Sequence, residues 1–319
     1  MNNIVRNIKF SVVIPAYNAS DFIKDTLDSI KNQTYKNYEV LVTDDGSTDN
    51  TEDVLEKYKK LNPEFPLNFI TQKNSGVSLA RNNAISRASG DYVAFLDQDD
   101  WWFPDKLQKA ATALNSNISI DVLYHKAISV GWGGVNIFLK PRALKEFAYF
   151  DLLFNGNKIG ISTAVVKLDK LMKAGGFSLE YIYAEDYDLW LRVARQGANF
   201  YYIPDSLSKY IWQEDSESNK VKNMTNEKLE IFERNYRLII KDGKYSKRYL
   251  SKKHRRGKSV MLFGASRKFY FLGDYKKAVD YSILAIKTDN RFWKPYIGLL
   301  LSYLKIRRSF NIKNKKKIK

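Results

Sequence analysis

The first hundred residues alternate between two apolar periods, one typical of buried strands and the other of helices. Short apolar runs predict four strands, over 10–14, 38–42, 67–70 and 92–96. Apolar residues three or four positions apart predict three helices between them, over 21–32, 51–61 and 78–89. This alternation predicts an α/β fold with right-handed crossovers, in which helices flank a mainly parallel, Rossmann-like sheet.

The pattern becomes less regular after Pro104. It predicts further helices over 105–115, 168–174 and 186–196, and strands over 120–124 and 161–166. Beyond residue 225 the apolar spacing is helical, and Gly273 separates two amphipathic segments. The stretch 269–286 resembles one half-unit of a tetratricopeptide-like helical hairpin. We therefore predict a main domain over 1–215, a helical C-terminal region over 216–312 and a basic tail over 313–319.

Composition and charge limit the kinds of catalytic group, metal site and ligand that the sequence can support. The 319 residues include no cysteine and two histidines, which excludes disulfides, cysteine nucleophiles and cysteine-ligated metals, and disfavours a histidine-rich zinc site. The net charge of +18 belongs to the C-terminal quarter, because residues 241–319 contain 24 Lys and Arg against 4 Asp and Glu. The first 240 residues are left slightly acidic, so the basicity says nothing about the ligand of the main domain.

Polar clusters follow three of the predicted strands: Tyr17-Asn18, Asp44-Asp45-Gly46 and Asp97-Gln98-Asp99-Asp100. Open parallel sheets bind ligands at the carboxyl ends of their strands. Three carboxylates within four residues repel each other unless a cation neutralises them, and Mg²⁺ or Mn²⁺ accepts such oxygen ligands and shares them with phosphates. The alternatives are a solvated acidic turn for the third cluster and a helix N-cap for the second. Gly-x-Gly-x-x-Gly and Walker lysine motifs are absent, which disfavours dinucleotide dehydrogenases and P-loop enzymes.

Five ordered segments resemble the family 2 glycosyltransferases of the GT-A fold, over roughly residues 9 to 215. The segments are Ser11–Asn18, Asp44–Asp49, Gly76–Asn82, Asp97–Asp100 and Gly175–Arg192. The resemblance implies a metal-dependent, inverting transfer of a sugar from a nucleotide sugar, a UDP-sugar first, to a saccharide or lipid-linked saccharide. It also implies a place in the synthesis of bacterial surface polysaccharide.

The resemblance also implies roles for individual residues. The nucleotide and donor pocket would be lined by Pro15, Tyr17, Asp44, Asp45, Arg81 and Asp97. Asp97 and Asp99 match the Asp-x-Asp element that holds a divalent metal, Mn²⁺ or Mg²⁺, against the diphosphate. Asp186 matches the catalytic base, and Glu185 would orient the acceptor.

These roles suit the reaction. The diphosphate gains negative charge as the glycosidic bond breaks, and a metal stabilises that charge. The acceptor hydroxyl becomes a good nucleophile once a carboxylate takes its proton. A simpler interpretation of Asp186 stays open, since acidic side chains are favoured at a helix start by the helix dipole.

The roles of one aromatic residue and of one departure from the family pattern stay open. Trp101 either stacks on a sugar on the acceptor side or closes the core with its neighbours. Many relatives carry an Arg-x-His step where this chain has Ile211 and Gln213. If that histidine helps to hold the metal or diphosphate, an amide, an acidic side chain or water replaces it here.

The C-terminal region suggests a surface partner. Apolar residues between Phe292 and Leu304 are flanked by Lys294, Lys305, Arg307 and Arg308, a mixture that suits a helix lying on an anionic membrane. Ordinary helix packing with a basic rim explains the pattern equally well. No signal peptide or membrane-spanning run is evident, so we expect a cytoplasmic protein, peripheral on the inner face of the plasma membrane in the first case.

Two other functions compete with the glycosyltransferase. One is a non-catalytic binding module whose basic tail binds nucleic acid or membrane; nucleic acid is not expected, because the domain with the ordered motifs is net acidic. The other is a nucleotidyltransferase on a related sheet, which would leave Asp186 without a role.

Overall fold

The computed structural model describes residues 6–130, 137–139, 142–144, 147–211 and 220–316. The chain forms two units. The first comprises Met1–Tyr149 and Lys158–Gln213, and the second comprises Phe150–Asn157 and Glu214–Lys319.

The first unit is built on a sheet whose strand order is β3-β2-β1-β4-β8-β6-β9-β5, with β7 paired to β6. The strands of the described residues are β1 (Phe10–Ala16), β2 (Tyr38–Asp44), β3 (Leu67–Thr71), β4 (Tyr92–Phe95), β5 (Trp101–Trp102), β6 (Val122–Val130), β7 (Ile137–Leu139), β8 (Val165–Lys167) and β9 (Phe200–Ile211).

The predicted strand–helix alternation is confirmed in the first hundred residues. Strands β3, β2, β1 and β4 are parallel neighbours, and all seven residues of β1 are buried. A strand covered on both faces has no polar face to show, which explains its uninterrupted apolar run. All four strands run in one direction, so Asp44 at the end of β2 and Asp97 just after β4 lie at the same edge of the sheet.

The second half of the sheet is mixed. Strand β8 is antiparallel to both β4 and β6, and β9 runs parallel to β6 with a register shift beside His125 and Lys126. The predicted strand over 161–166 is instead a 3-10 turn at Ile161–Thr163 followed by β8. The twelve-residue β9 was not predicted, because Pro204, Asp205 and Ser206 interrupt its apolar alternation.

The helices flank this sheet and build the second unit. In the described residues they are α1 (Ile23–Lys31), α2 (Thr51–Leu61), α3 (Val77–Ile85), α4 (Lys106–Ser116), α5 (Ala148–Asn155), α6 (Leu168–Lys173), α7 (Glu185–Arg195), α8 (Val221–Lys241), α9 (Lys247–Phe271), α10 (Tyr275–Thr288) and α11 (Lys294–Lys316). The main core lies between β1, β2, β4 and the helices α1, α2 and α4.

The second unit is helical, as predicted. Helices α9 and α10 flank Gly273, whose φ of 79° lies in the left-handed region that glycine tolerates best. The Asp274 side chain accepts a hydrogen bond of 3.0 Å from the Lys277 N–H and so caps α10. No helix among the described residues combines the length and the apolar character that crossing a membrane requires.

Candidate active site

The acidic loop after β4, residues 97–100, is held with Leu96 by hydrogen bonds to three other segments of the chain. The Leu96 N–H donates to the Val13 carbonyl at 3.1 Å, and the Asp97 N–H donates to Ser162 Oγ at 3.1 Å. The Gln98 side chain pairs with the backbone of Tyr17: its Oε1 accepts from the Tyr17 N–H at 2.6 Å and its Nε2 donates to the Tyr17 carbonyl at 3.1 Å. The loop therefore stands in a fixed position beside the end of β1.

Arg81 joins this loop to the start of α7. Its Nη2 donates to Asp97 Oδ1 at 2.7 Å, and its Nη1 donates to Glu185 Oε1 at 2.8 Å. The residue is only 3% exposed, and its guanidinium lies 5.1 Å from the centre of the Phe177 ring. Burial opposes charging, but Asp97 and Glu185 raise the pKa of Arg81. A buried, permanently charged fork thus connects two carboxylates that are far apart in the sequence.

Asn82 fixes the neighbouring turn. Its Nδ2 donates to the Phe177 carbonyl and its Oδ1 accepts from the Phe177 N–H, both at 2.8 Å. Gly176 has a φ of 65°, and a Cβ there would lie 2.5 Å from Asn82 Oδ1. Only glycine leaves room for this contact, which ties α3 to the segment that leads into α7.

The predicted base lies in the first turn of α7. Asp186 follows Glu185 directly and is partly exposed, and its Oδ1 accepts from the Tyr187 N–H at 2.6 Å. Burial raises the pKa of Glu185 to about 7; Asp186 adds to the rise and Arg81 opposes it. Two acidic residues therefore meet at this helix start: Glu185 is bound by Arg81, and Asp186 accepts a hydrogen bond from the Tyr187 N–H.

Asp44 and Asp45 have different surroundings. Asp44 Oδ1 accepts from the Ser47 hydroxyl at 2.5 Å and from the Ser47 N–H at 3.1 Å. Asp45 uses both oxygens within the protein, accepting from Gln72 Nε2 at 2.7 Å and from the N–H groups of Ser75 and Gly76 at 2.8 Å. Asp45 thereby fixes the loop that precedes α3 and hence the position of Arg81.

Burial and mutual repulsion disfavour ionisation of the carboxyl groups in the acidic loop. Burial raises the pKa of Asp99 to about 6, and the neighbouring Asp97 adds to the rise. Burial also raises the pKa of Asp100 well above its usual range, with Asp97 and Asp99 contributing. In the part of the chain that the structure describes, no Lys or Arg pairs with Asp99, and no three His, Cys, Asp or Glu side chains form a metal-ligand set. A cation bound here would relieve the repulsion, so the residues fit a metal that takes its remaining ligands from a substrate.

Lys106 lies behind this loop, and the sequence analysis missed it. The side chain is fully buried; its Nζ donates to the Ser162 carbonyl at 3.0 Å and lies 3.5 Å from the centre of the Trp102 ring. Asp100 hydrogen-bonds to the Ser162 side chain and accepts from the Ile211 N–H at 3.2 Å. A lysine in the apolar spacing of Ala110 and Leu114 was the signal that could have revealed it.

The other predicted residues lie around this edge. Pro15 is buried in β1, whereas the Tyr17 side chain is exposed. Trp102 closes the core, but Trp101 is partly exposed and has Lys209 Nζ 4.6 Å from its ring centre. Gln213 lies outside the described residues. The structure thus brings Arg81, Asp97 and Glu185 together and leaves the ligand-binding roles as predictions.

Gly46 offers a test of how this edge is assembled. Its φ is 74°, and a Cβ would lie 2.8 Å from the Asn74 nitrogen and 2.9 Å from the Gln72 carbonyl oxygen. We expect Gly46→Ala to lower the free energy of unfolding by about 2–4 kcal/mol in urea titrations. Gly197→Ala is the matched control, because Gly197 has a φ of 77° with no atom within 4 Å; it should cost about 1 kcal/mol. Equal losses would contradict the close approach.

The chain matches known proteins of one family. The family model described as glycosyl transferase family 2 matches residues 11–165. The chain is 31% identical over 209 residues to the teichuronic acid biosynthesis glycosyltransferase TuaG of Bacillus subtilis, covering 63% of this chain and 77% of TuaG. It is 34% identical over 195 residues to WfgD of Escherichia coli, a UDP-Glc:α-D-GlcNAc-diphosphoundecaprenol β-1,3-glucosyltransferase, covering 59% and 70%.

Solved structures agree with the fold. The structure of Staphylococcus aureus TarS 1–349 in complex with UDP-GlcNAc has a TM-score of 0.60 and 21% identity, covering 88% of this chain and 81% of that one. The mannosyltransferase PcManGT of Pyrobaculum calidifontis, in complex with GDP-Man and Mn²⁺, also has a TM-score of 0.60 and 21% identity, covering 95% and 86%. The chain therefore belongs to glycosyltransferase family 2, as an enzyme with a GT-A-type fold.

Proposed function

We propose that this enzyme transfers a sugar from a nucleotide sugar, a UDP-sugar first, to a saccharide or lipid-linked saccharide, with inversion. The observation that carries the proposal is the fork of Arg81, which joins Asp97 of the acidic loop to Glu185, the residue next to Asp186. This contact supports the proposal because it joins the carboxylates that we assign to the metal and diphosphate to the acidic pair that we assign to the acceptor hydroxyl.

Asp97 and Asp99 would hold a divalent cation, Mn²⁺ or Mg²⁺. When bound, that cation supplies electrostatic stabilisation of the departing diphosphate. Two protein carboxylates suffice for such a site, since Mg²⁺ usually takes one or two carboxylates and completes its shell with phosphates and water. Asp97 Oδ1 is bound to Arg81, so Arg81 fixes the direction of this carboxylate.

The remaining residues bind the donor and prepare the acceptor. Asp44 uses Oδ1 for Ser47 and, within the described residues, accepts no hydrogen bond at Oδ2, which suits a contact with a base N–H. Pro15, Tyr17 and Asp45 would shape the nucleotide pocket, Asp45 through the loop it holds. Asp186 would take the proton of the acceptor hydroxyl while Glu185 and Trp101 orient the acceptor.

The names of relatives support the cellular setting. TuaG is named for teichuronic acid synthesis, and the WfgD acceptor is a diphosphoundecaprenol-linked sugar. We propose that this enzyme acts in bacterial surface-polysaccharide synthesis at the cytoplasmic face of the plasma membrane. In this proposal residues 1–215 are catalytic and the helical C-terminal region, 216–312 with the tail 313–319, attaches the enzyme peripherally.

The test is a panel of nucleotide sugars assayed for release of nucleoside diphosphate with Mn²⁺, with Mg²⁺ and after chelation. We expect activity with a UDP-sugar that chelation abolishes and either metal restores. Asp99→Asn should raise the Mn²⁺ concentration for half-maximal activity by about tenfold or more, since losing even a residue that only supports a metal ligand weakens binding by about 10- to 100-fold. The control is Asp105→Asn, which alters a side chain that is 45% exposed and six residues further on; it should leave this Mn²⁺ concentration unchanged. Full activity after chelation would contradict the metal role.

A further inference from the structure

Helix α11 has the reverse of the usual arrangement for a surface helix. Its small residues point inward: a Cβ on Gly298 would lie 2.6 Å from the Phe263 ring and 3.3 Å from Ser282 Oγ, and Ser302 is buried. Six of its large apolar residues are exposed instead. We call these the outer face of α11: Tyr296, Ile297, Leu300, Leu301, Tyr303 and Leu304.

The outer face is a continuous surface. Ile297, Leu300 and Leu304 are spaced three and four residues apart, so their side chains follow one another along one side of the helix. Leu300 is 58% exposed and Leu304 is 44% exposed. A helix at the surface of a globular unit normally turns its apolar stripe to the core, and a contiguous exposed apolar patch marks an interaction site.

Charge decides between the candidates for a partner. The sequence of α11 contains seven Lys and Arg and no Asp or Glu, and Lys294, Lys305 and Arg307 are exposed. Two copies meeting through this face would bring two strongly positive helices together, which like-charge repulsion opposes. An anionic surface attracts the same helix, each basic residue contributing about 1 kcal/mol near the membrane.

The aromatic residues fit a membrane interface. Trp293 is exposed just before α11, and Tyr296 and Tyr303 lie on the outer face. Trp and Tyr rings favour the headgroup level of a bilayer, where one end is apolar and the other is wet.

We propose that the outer face of α11 inserts into the headgroup region of an anionic bilayer, with the helix lying in the plane of the membrane. This rests on the membrane location proposed above but not on the transfer reaction, and it names the face and the lipid charge that attach the enzyme. Leucines supply apolar burial, aromatic rings sit at the interface and the basic side chains reach the phosphates.

The experiment is co-sedimentation of the full chain with vesicles of phosphatidylglycerol and phosphatidylcholine, compared with vesicles of phosphatidylcholine alone. We expect binding to the anionic vesicles that weakens with salt, and little binding to the neutral ones. The variant Leu300→Ser/Leu304→Ser should lose at least about tenfold in partition coefficient, given the transfer free energy of two leucine side chains.

The control is Leu61→Ser/Ile118→Ser, which removes two apolar side chains that are 69% and 74% exposed in the first unit. It should bind vesicles like the unaltered chain. Equal binding by the α11 variant, or no binding by the unaltered chain, would overturn the proposal. So would a concentration-dependent dimer in sedimentation equilibrium that the α11 variant abolishes, because a second copy would then cover the face.

The outcome can be separated from that of the transfer reaction. With a water-soluble acceptor, the α11 variant should release nucleoside diphosphate at the rate of the unaltered chain. A chain that binds anionic vesicles through α11 but transfers no sugar would contradict the proposed reaction alone.

Discussion

Replacing Asp186 by Asn is expected to lower kcat for sugar transfer by about 10²–10⁴-fold, the usual contribution of a general base. The amide cannot accept the proton of the acceptor hydroxyl. The KM for the nucleotide sugar should change little, because the donor is held by the acidic loop and by Asp44 in the proposed mechanism. Steady-state release of nucleoside diphosphate at saturating acceptor measures both parameters.

A matched variant distinguishes catalysis from helix stabilisation. Asp53 lies in the first turn of α2, a helix of eleven residues like α7, and is exposed. If the carboxylate of Asp186 only complements the helix dipole, Asp186→Asn and Asp53→Asn should each cost about 0.3–1 kcal/mol of stability and leave kcat unchanged. A kcat for Asp186→Asn equal to that of Asp53→Asn would contradict the base.

The parts of the fold that sequence predicts best are those with strong local periods. Helix α2 has the predicted bounds, because its apolar residues recur three or four positions apart over three turns. Strand β9 has no such local signal: its twelve residues include a proline and several polar residues, and its partner β6 is almost eighty positions away. Pairing over that distance depends on tertiary structure, which a single sequence does not encode in its period.

The site shows the same division. The predicted parallel strands indicated that the acidic residues at the ends of β2 and β4 would lie at one edge of the sheet, because parallel strands end at the same edge. The sequence did not predict that Arg81 would bind both Asp97 and Glu185, because Glu185 is 104 positions from Arg81 in the sequence. Lys106 was also missed. It is the first residue of α4, and a lysine at the start of a helix does not by itself signal that its side chain is buried.

Arg81 shows how closely stability and activity are linked here. We expect Arg81→Met to lower the free energy of unfolding by about 3–5 kcal/mol in urea titrations, the cost of leaving a buried carboxylate without its partner. Transfer activity should be lost together with it, because Asp97 and Glu185 would no longer be fixed. Arg87→Met, which alters an exposed arginine just after α3, is the control and should change stability by no more than about 0.5 kcal/mol.

A double variant separates the two effects. Adding Glu185→Gln to Arg81→Met removes one of the two unpaired carboxylates, so part of the lost stability should return. Activity should not return, because the link between the acidic loop and α7 is still broken. If the losses of the two single variants simply add, the ion pair contributes nothing beyond its separate residues. That result would contradict the role of Arg81 in holding the acidic loop against the start of α7.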